Sequence, residues 1–558
     1  MRQMNQTTQP KEEFLLSKVR CVMVRQSCIA ACIILWLASA VAAQPVSRSE
    51  WRREQFQKQH LQQLLNLRHE LSELSRQCFE KGLAQAAKDV TEISLELTTT
   101  QQRPRLQSLV QLPVSTFLPP EEQLWRNRLH VIRQDKAQEL YILARSALSK
   151  ANLPSLAYEL VLDVLKLAPD HKYARAVLGQ RLFNDRARAD DPTYVGEWVS
   201  PFEAEKRSGI SPEVNHPQFG WIPASHVPRY EQGLRFWNGK WVSEQKEAEL
   251  RRDFSNAWII ESEHFKVKTN ASREEGVEIS QKLEIFHDWL QTNFVGFFET
   301  PAALKARFDQ IRVGRSNRRT AKPMEVHYYA TRDEYDRRMQ GKIPAGIVTN
   351  GFYWEQEKTC YLFRNPDGSG LSTAFHEATH QIFDLATIDD RLSAARKRRI
   401  ELRQRRVTPW VMCENSNFWM LEGIACYMES FEINDGVISV GRPDYIRFVA
   451  AQQRLLRDNF FVPLQLLSSL GKESFQHHVN RPQLYSQGSG VAHFLLHYDN
   501  GAYRDAFVKL LAAAYRPDLR RVTEEPSLEK MTGVKFAVLD QQYREHMENL
   551  AIRVAAKR

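Results

Sequence analysis

The chain has 558 residues, 42% of them hydrophobic, with 12 tryptophans. That is too long for one core and too apolar for disorder, so two or three packed domains are expected. The formal charge of +10 is a small difference between 77 basic and 67 acidic side chains, which describes a solvated surface with basic segments and argues against nucleic-acid binding.

Residues 1–43 read as a targeting segment. Lys18, Arg20 and Arg25 precede an apolar run from Cys28 to Ala43 that ends in small residues, Ala40-Val41-Ala42, before Gln44-Pro45. Basic region, apolar core and small-residue end follow the order of a secretory signal peptide. The run is short for a stable membrane span. Two outcomes stay open: cleavage near Ala42, giving a periplasmic or extracellular protein, or an uncleaved N-terminal membrane anchor. Cys21, Cys28 and Cys32 lie in this segment. The others, Cys78, Cys360, Cys413 and Cys426, have no CxxC spacing, which excludes a zinc ribbon and a disulfide scaffold. One bridge, Cys413 with Cys360 or Cys426, stays open.

Residues 44–189 read as helical. Leu61, Leu64, Leu65, Leu67, Leu71 and Leu74 recur at helical spacing in a polar stretch. A proline-rich break, Pro104 to Pro120, follows. From Ala137 to Leu178, Ala144, Ala147, Asn152, Pro154, Ala157, Leu160, Leu165 and Pro169 outline a helical hairpin. With small residues at the crossing and a closing proline it resembles a tetratricopeptide repeat, with a half-repeat at Ala174–Leu182. A generic helical hairpin fits equally well. Either form suits binding or spacing, so a protein partner is expected here rather than chemistry.

Residues 190–257 change character. Trp198, Trp221-Ile-Pro223, Tyr230 and Phe236-Trp237-Asn-Gly239-Lys-Trp241 make an aromatic, Pro- and Gly-rich β module or linker, with Asn238-Gly239 as a hairpin turn. Packing of a small β module accounts for these aromatics at least as well as carbohydrate binding does.

Residues 258–515 read as mixed α/β. Strands are expected at Ile259-Ile260, His264–Thr269 and Met324–Tyr329, with a hairpin at Gly351–Trp354 and Thr359–Phe363. Ser272-Arg-Glu-Glu275 is a capping-box helix start. The loop Asn365-Pro-Asp-Gly-Ser-Gly370 then leads into Leu371-Ser-Thr-Ala-Phe-His376-Glu377-Ala-Thr-His380. This HExxH pattern puts two imidazoles on one helix face, within reach of one metal ion, with Glu377 placed to take a proton from a metal-bound water. A sheet edge just before such a helix suits an extended substrate added as a strand.

Catalytic zinc needs a third protein ligand. A histidine six residues on is absent, since Ala386 stands there. Glu422, in the apolar stretch Trp419-Met-Leu-Glu422-Gly-Ile-Ala-Cys-Tyr427, is the best candidate, because a buried carboxylate needs a partner. Glu429 reads as a residue behind the ligands, and Glu414 as a weaker alternative. Between the motifs runs a basic stretch, Arg391–Arg406, read as a solvated insertion. Tyr485 is the candidate hydrogen-bond donor to an oxyanion, with His493 a remote second. Gly488, Gly490 and Gly501 look like helix-boundary glycines. Residues 516–558 read as a C-terminal helical tail.

With HEATH at 376–380, WMLEGIACY at 419–427 and YSQGSGVAHFLLHY at 485–498, residues 258–515 resemble the gluzincin, or peptidase-MA-like, zinc metallopeptidases, in an uncharacterised bacterial branch. The resemblance implies an α+β, zincin-like domain with a mixed sheet and C-terminal helices, behind the helical repeat-like region. It implies His376, His380 and Glu422 as Zn2+ ligands and Glu377 as general base. Tyr485 would match the tyrosine before a KG-type dipeptide, although Ser486-Gln487-Gly488 departs from that pattern. No GxMEN stretch is present, so aminopeptidase activity is not implied. The expected function is an exported zinc metallopeptidase acting on a peptide or protein. The alternatives are an envelope-binding scaffold with an inactive zincin domain, and a cell-wall peptide amidase.

Overall fold

A computed structural model describes residues 48–98, 119–309, 322–343, 348–365, 370–402, 412–434, 436–516 and 527–556, apart from 186, 187, 189, 192 and 193. The targeting segment, the proline-rich break up to residue 118 and the side chains of the basic stretch lie outside the described residues. No helix among those described is long and apolar enough to cross a membrane.

The helical region contains α1 (Arg48–Glu80), α2 (Ala84–Thr98), α3 (Pro120–Ala151), α4 (Pro154–Leu167) and α5 (Lys172–Val177). Leu67, Leu71 and Leu74 are buried, whereas Leu61 and Leu65 face solvent, so only the later leucines form the inner stripe. Ala144, Ala147 and Ala157 are fully buried between α3 and α4, where small side chains allow close helix packing. Asn152, in the left-handed conformation at φ 54, ends α3, and Pro154 opens α4. The expected half-repeat does not continue as helix: after α5 the chain turns into a strand at Arg181–Phe183. Val295, Leu304 and Phe308 join this same core.

Three antiparallel hairpins follow, pairing Arg181–Phe183 with Glu197–Val199, Glu213–His216 with Gly220–Pro223, and Leu234–Trp237 with Lys240–Ser243. Each second strand carries a tryptophan, Trp198, Trp221 or Trp241, and runs into a short helix. Ser200 and Ser243 cap the first and third of those helices by accepting from Glu203 N–H and Lys246 N–H. The aromatic module is therefore a hairpin–helix unit used three times, hidden in the sequence because only Trp and the strand-end turn recur. Its rings are engaged internally: Trp221 packs edge-on against Phe202 at 5.8 Å, and Trp241 lies 4.9 Å from His226.

The central sheet has five strands: β1 (Trp258–Glu261), β2 (Phe265–Thr269), β3 (Met324–Tyr329), β4 (Gly351–Trp354) and β5 (Thr359–Phe363). Their order is β4-β5-β3-β2-β1, with the two outer pairs antiparallel and the inner pairs parallel. Side chains alternate between faces, as the period of two requires. Phe265, Val267, Val326, Cys360 and Leu362 enter the main core, while Tyr329, Tyr361 and Phe363 pack on the other face against Tyr335 and Met339. Helix α6 (Arg273–Asn293) starts with the expected capping box: Ser272 Oγ accepts from Glu275 N–H at 3.1 Å. The chain is thus α+β with a mixed sheet.

The main core is completed by α7 (Gly370–Leu402), α8 (Phe418–Met428), α9 (Ile446–Leu456), α10 (Arg481–His497), α11 (Arg504–Tyr515) and α12 (Phe536–Ala556). Helix α12, in the segment expected to be a tail, supplies Leu539, Tyr543, Met547 and Leu550 to this core. Gly488 and Gly490 are not boundary residues. Both lie inside α10, and a Cβ on Gly423 of α8 would meet the Gly488 carbonyl oxygen at 2.6 Å. Gly501 does close a turn, in the left-handed conformation at φ 81.

Because that clash is with backbone, Gly423→Ala must push α8 and α10 apart. The variant should lose about 1–3 kcal/mol, read as a lower urea midpoint with unchanged slope. A midpoint equal to wild type would show that the crossing has slack.

Candidate metal centre

Helix α7 carries His376 and His380 one turn apart, so their rings project from one face toward α8. The ring planes are splayed at 70°, with centroids 5.0 Å apart. Helix α8 is apolar nearly all round: from 417 to 430 every residue but Glu422 is buried. Glu422 Oε2 lies 3.7 Å from His376 Nε2 and 3.8 Å from His380 Nε2, and the two Nε2 atoms are 3.3 Å apart. Three donors around a tetrahedral zinc, with bonds of about 2.0–2.1 Å, would stand about 3.3–3.5 Å from one another. The Nε2–Nε2 spacing meets that range, and the two carboxylate spacings exceed it by a few tenths of an ångström. The donor set of two imidazoles and a carboxylate, converging on one point, fits a zinc ion. The side chains of His376, His380 and Glu422 keep exposures of 15%, 20% and 15%, so none of the three is fully sealed in the core.

Behind the ligands stands a carboxylate that the sequence suggested and a cation that it did not. Glu429 Oε1 accepts from His376 Nδ1 at 2.9 Å. That bond assigns the proton to Nδ1 and turns the lone pair of Nε2 toward Glu422 and His380. Arg447 Nε and Nη2 donate to Glu429 Oε2 and Oε1 at 2.7 and 2.8 Å, a bidentate pair, and Tyr445 Oη adds a bond at 3.3 Å. Residues 422, 426 and 429 share a face of α8, which makes Glu429 legible from spacing. Arg447 lies a hairpin away, with only the unmet charge of Glu429 to hint at it.

Electrostatics follow from this crowding. Burial opposes charge on His376, but bonds with Cys426, Glu422 and Glu429 outweigh it and hold its pKa well above the usual histidine value. For His380 burial prevails and lowers the pKa, partly offset by Glu422. Glu422 is held below the carboxylate range despite burial, through His376 and His380. Burial also opposes charge on Glu429, yet His376 and Arg447 bring its pKa down to about 2.

Glu377 Oε2 accepts from the backbone N–H of Tyr353, on the sheet's edge strand, at 2.7 Å. Tyr485 is half-buried, its ring 5.4 Å from Phe475. Burial, and after it the negative charge of Glu422, push its pKa up, so its hydroxyl stays a donor. His493 is not at this site. Its Nδ1 and Nε2 are taken by His546 Nε2 and the Gly441 carbonyl, each at 2.9 Å. Glu414 is exposed on a loop. Cys78, Cys360, Cys413 and Cys426 are free thiols, so the bridge left open between Cys413 and its neighbours is absent.

A second grouping, His264, Glu284 and His287, sits between β1–β2 and α6. There the rings are stacked, 3.8 Å apart and 26° from parallel, so their lone pairs do not converge. Glu284 is spent on His264 Nδ1 at 2.7 Å and on the N–H of His264 and Phe265. This is an ion pair that closes a strand turn. A scan against models of known protein families finds no match, and a search of curated proteins finds none.

Two measurements probe the centre. Ligation would need neutral His376, whose raised pKa lets a proton compete below it, so zinc affinity should rise as the pH climbs from the ordinary histidine range to above it. Calorimetry in buffers of different ionisation enthalpy should show a proton released on binding; an affinity flat across that range contradicts the assignment. Arg447→Ala should weaken zinc binding about 10–100-fold by freeing Glu429 and hence His376, measured by chelator competition.

Proposed function

We propose that this chain is an exported zinc metallopeptidase of the gluzincin type, with a zincin-like domain that hydrolyses peptide bonds. The observation that carries the reading is the convergence of His376, His380 and Glu422 on one point, with Glu377 directly after His376 on the same turn of α7. Zinc held there would supply Lewis acidity, polarising a carbonyl and acidifying water.

The protein's own residues account for the rest. With Oε2 of Glu377 fixed by Tyr353 N–H, its other oxygen is the one left to accept the proton of the attacking water. The same carboxyl then returns that proton to the departing amine, as a general base that becomes a general acid. Tyr485 keeps its proton and serves as the donor to the oxyanion that develops on the scissile carbonyl. Glu429 and Arg447 hold His376 in one tautomer, so the ligand set is preorganised. Strand β4 is an edge of the sheet beside Glu377, which favours an extended peptide as substrate. The helical N-terminal region is the natural place for a protein partner, and the signal-like segment supports export or membrane attachment.

Glu377→Gln should keep about one zinc per chain and lower hydrolysis about 10²–10⁴-fold. Zinc content and a peptide-library digest, run side by side on both proteins, test this. A metal-free wild type, or a variant as active as wild type, sinks the proposal.

A further inference from the structure

Helix α7 presents a second polar stripe, next to the one that faces Glu422. Glu377, Gln381 and Asp384 are spaced i, i+4 and i+7, and all three reach the β4–β5 hairpin. Asp384 is 3% exposed. Its Oδ2 accepts from Tyr353 Oη at 2.5 Å and from Lys358 Nζ at 2.6 Å. Gln381 Nε2 donates to the carbonyls of Lys358 and Glu325, each at 2.9 Å. Tyr353 is therefore fastened twice to the same helix, by its side chain to Asp384 and by its backbone N–H to Glu377.

Two independent features indicate that this fastening is specific. Lys358 has φ 55, a left-handed conformation that glycine or asparagine adopts at lower cost. A lysine there is better explained by what its ammonium reaches than by the turn. Next, a Cβ on Gly351 would meet Thr373 Cγ2 at 2.5 Å and Glu377 Cγ at 3.3 Å. The strand thus lies directly against the helix turn that carries Glu377, and small shifts of one are felt by the other.

We propose that Tyr353, locked by Asp384 and Lys358, is the positioning residue of the general base: it fixes Oε2 of Glu377 and so aims the other oxygen toward the His376–His380–Glu422 point. This rests on Glu377 acting as the base. Tyr353 acts through Glu377, and nothing in its role requires contact with substrate. Without the lock the edge strand rocks on α7, the Tyr353 N–H bond loosens, and the carboxylate samples other rotamers.

The test uses the full chain and two kinds of readout. In the metal-free protein, amide hydrogen exchange at Tyr353 should speed up about tenfold or more in Glu377→Ala, Tyr353→Phe and Asp384→Asn alike. In the zinc-loaded protein, Tyr353→Phe and Asp384→Asn should lower kcat about 10–100-fold with KM within about twofold, and leave zinc affinity at the wild-type value. Lys358→Gly guards against simple misfolding. It relieves the left-handed backbone, so its Tm should hold or rise, while exchange at Tyr353 quickens and kcat falls. Exchange that responds to Glu377→Ala but not to Tyr353→Phe or Asp384→Asn overturns the proposal, as does a wild-type kcat in both variants. A wild type that binds zinc but cleaves nothing would instead overturn the peptidase reading, with the exchange data still deciding whether Tyr353 holds Glu377.

Discussion

Everything at the centre depends on mutual neutralisation of groups that none of the helices could bury alone. An isolated carboxylate inside an apolar helix pair costs several kcal/mol and would take up a proton instead. Helix α8 places two, Glu422 and Glu429, within a segment whose other positions are buried. What makes this tolerable is that His376 lies between them, 3.7 Å from one and 2.9 Å from the other, and that Arg447 clamps the second. Removing any one of these groups leaves a charge without its partner, so the cluster stands or falls as a unit.

That cluster is possible only because backbones approach unusually closely around it. Gly423 follows Glu422 directly and rests on Gly488 of α10, so α8 is pressed from behind onto α7. Gly351 does the same on the sheet side, letting β4 lie against the turn that bears Glu377. Both glycines have ordinary backbone conformations; what they provide is absence of a side chain at a contact. The donor geometry is thus set by packing on two sides, which is how rigid elements hold a site to the tolerance that chemistry needs.

Much of this was legible in the sequence, and the rest was hidden for identifiable reasons. HExxH spacing placed His376, Glu377 and His380 because their relation is local to one helix, and Glu422 stood out because a carboxylate in an apolar segment needs a partner elsewhere. The mixed α/β character of residues 258–515 and the β4–β5 hairpin followed from alternation and turn residues, while the α+β class was what the resemblance implied. Arg447, Tyr353 and Asp384 escaped because their partners lie on other elements, and no local pattern encodes a cross-element hydrogen bond. Gly488 and Gly490 look like boundary glycines because a glycine that ends a helix and one that admits a neighbouring helix are alike in one dimension. The three hairpin–helix units hid behind unequal loops, with only one tryptophan per unit in register.

The period of the α-helix explains why His376, His380 and Glu377 come as one device. His376 and His380 are about 40° apart around α7, whereas Glu377 is about 100° from His376. Phe375, Ala378 and Ile382 point farther round into the core. One helix therefore offers three faces: donors toward α8, anchors toward the β4–β5 hairpin, and apolar side chains toward the core, where Phe375 meets Phe286 of α6 and Phe431. A rotation that improved the fit of the donors would pull Glu377, Gln381 and Asp384 off the hairpin, and the reverse holds as well. Because the core face also resists rotation, the two histidines and Glu377 cannot drift independently. The geometry of the centre is therefore a property of how α7 is seated, and the edge hairpin is as much a part of that seat as α8.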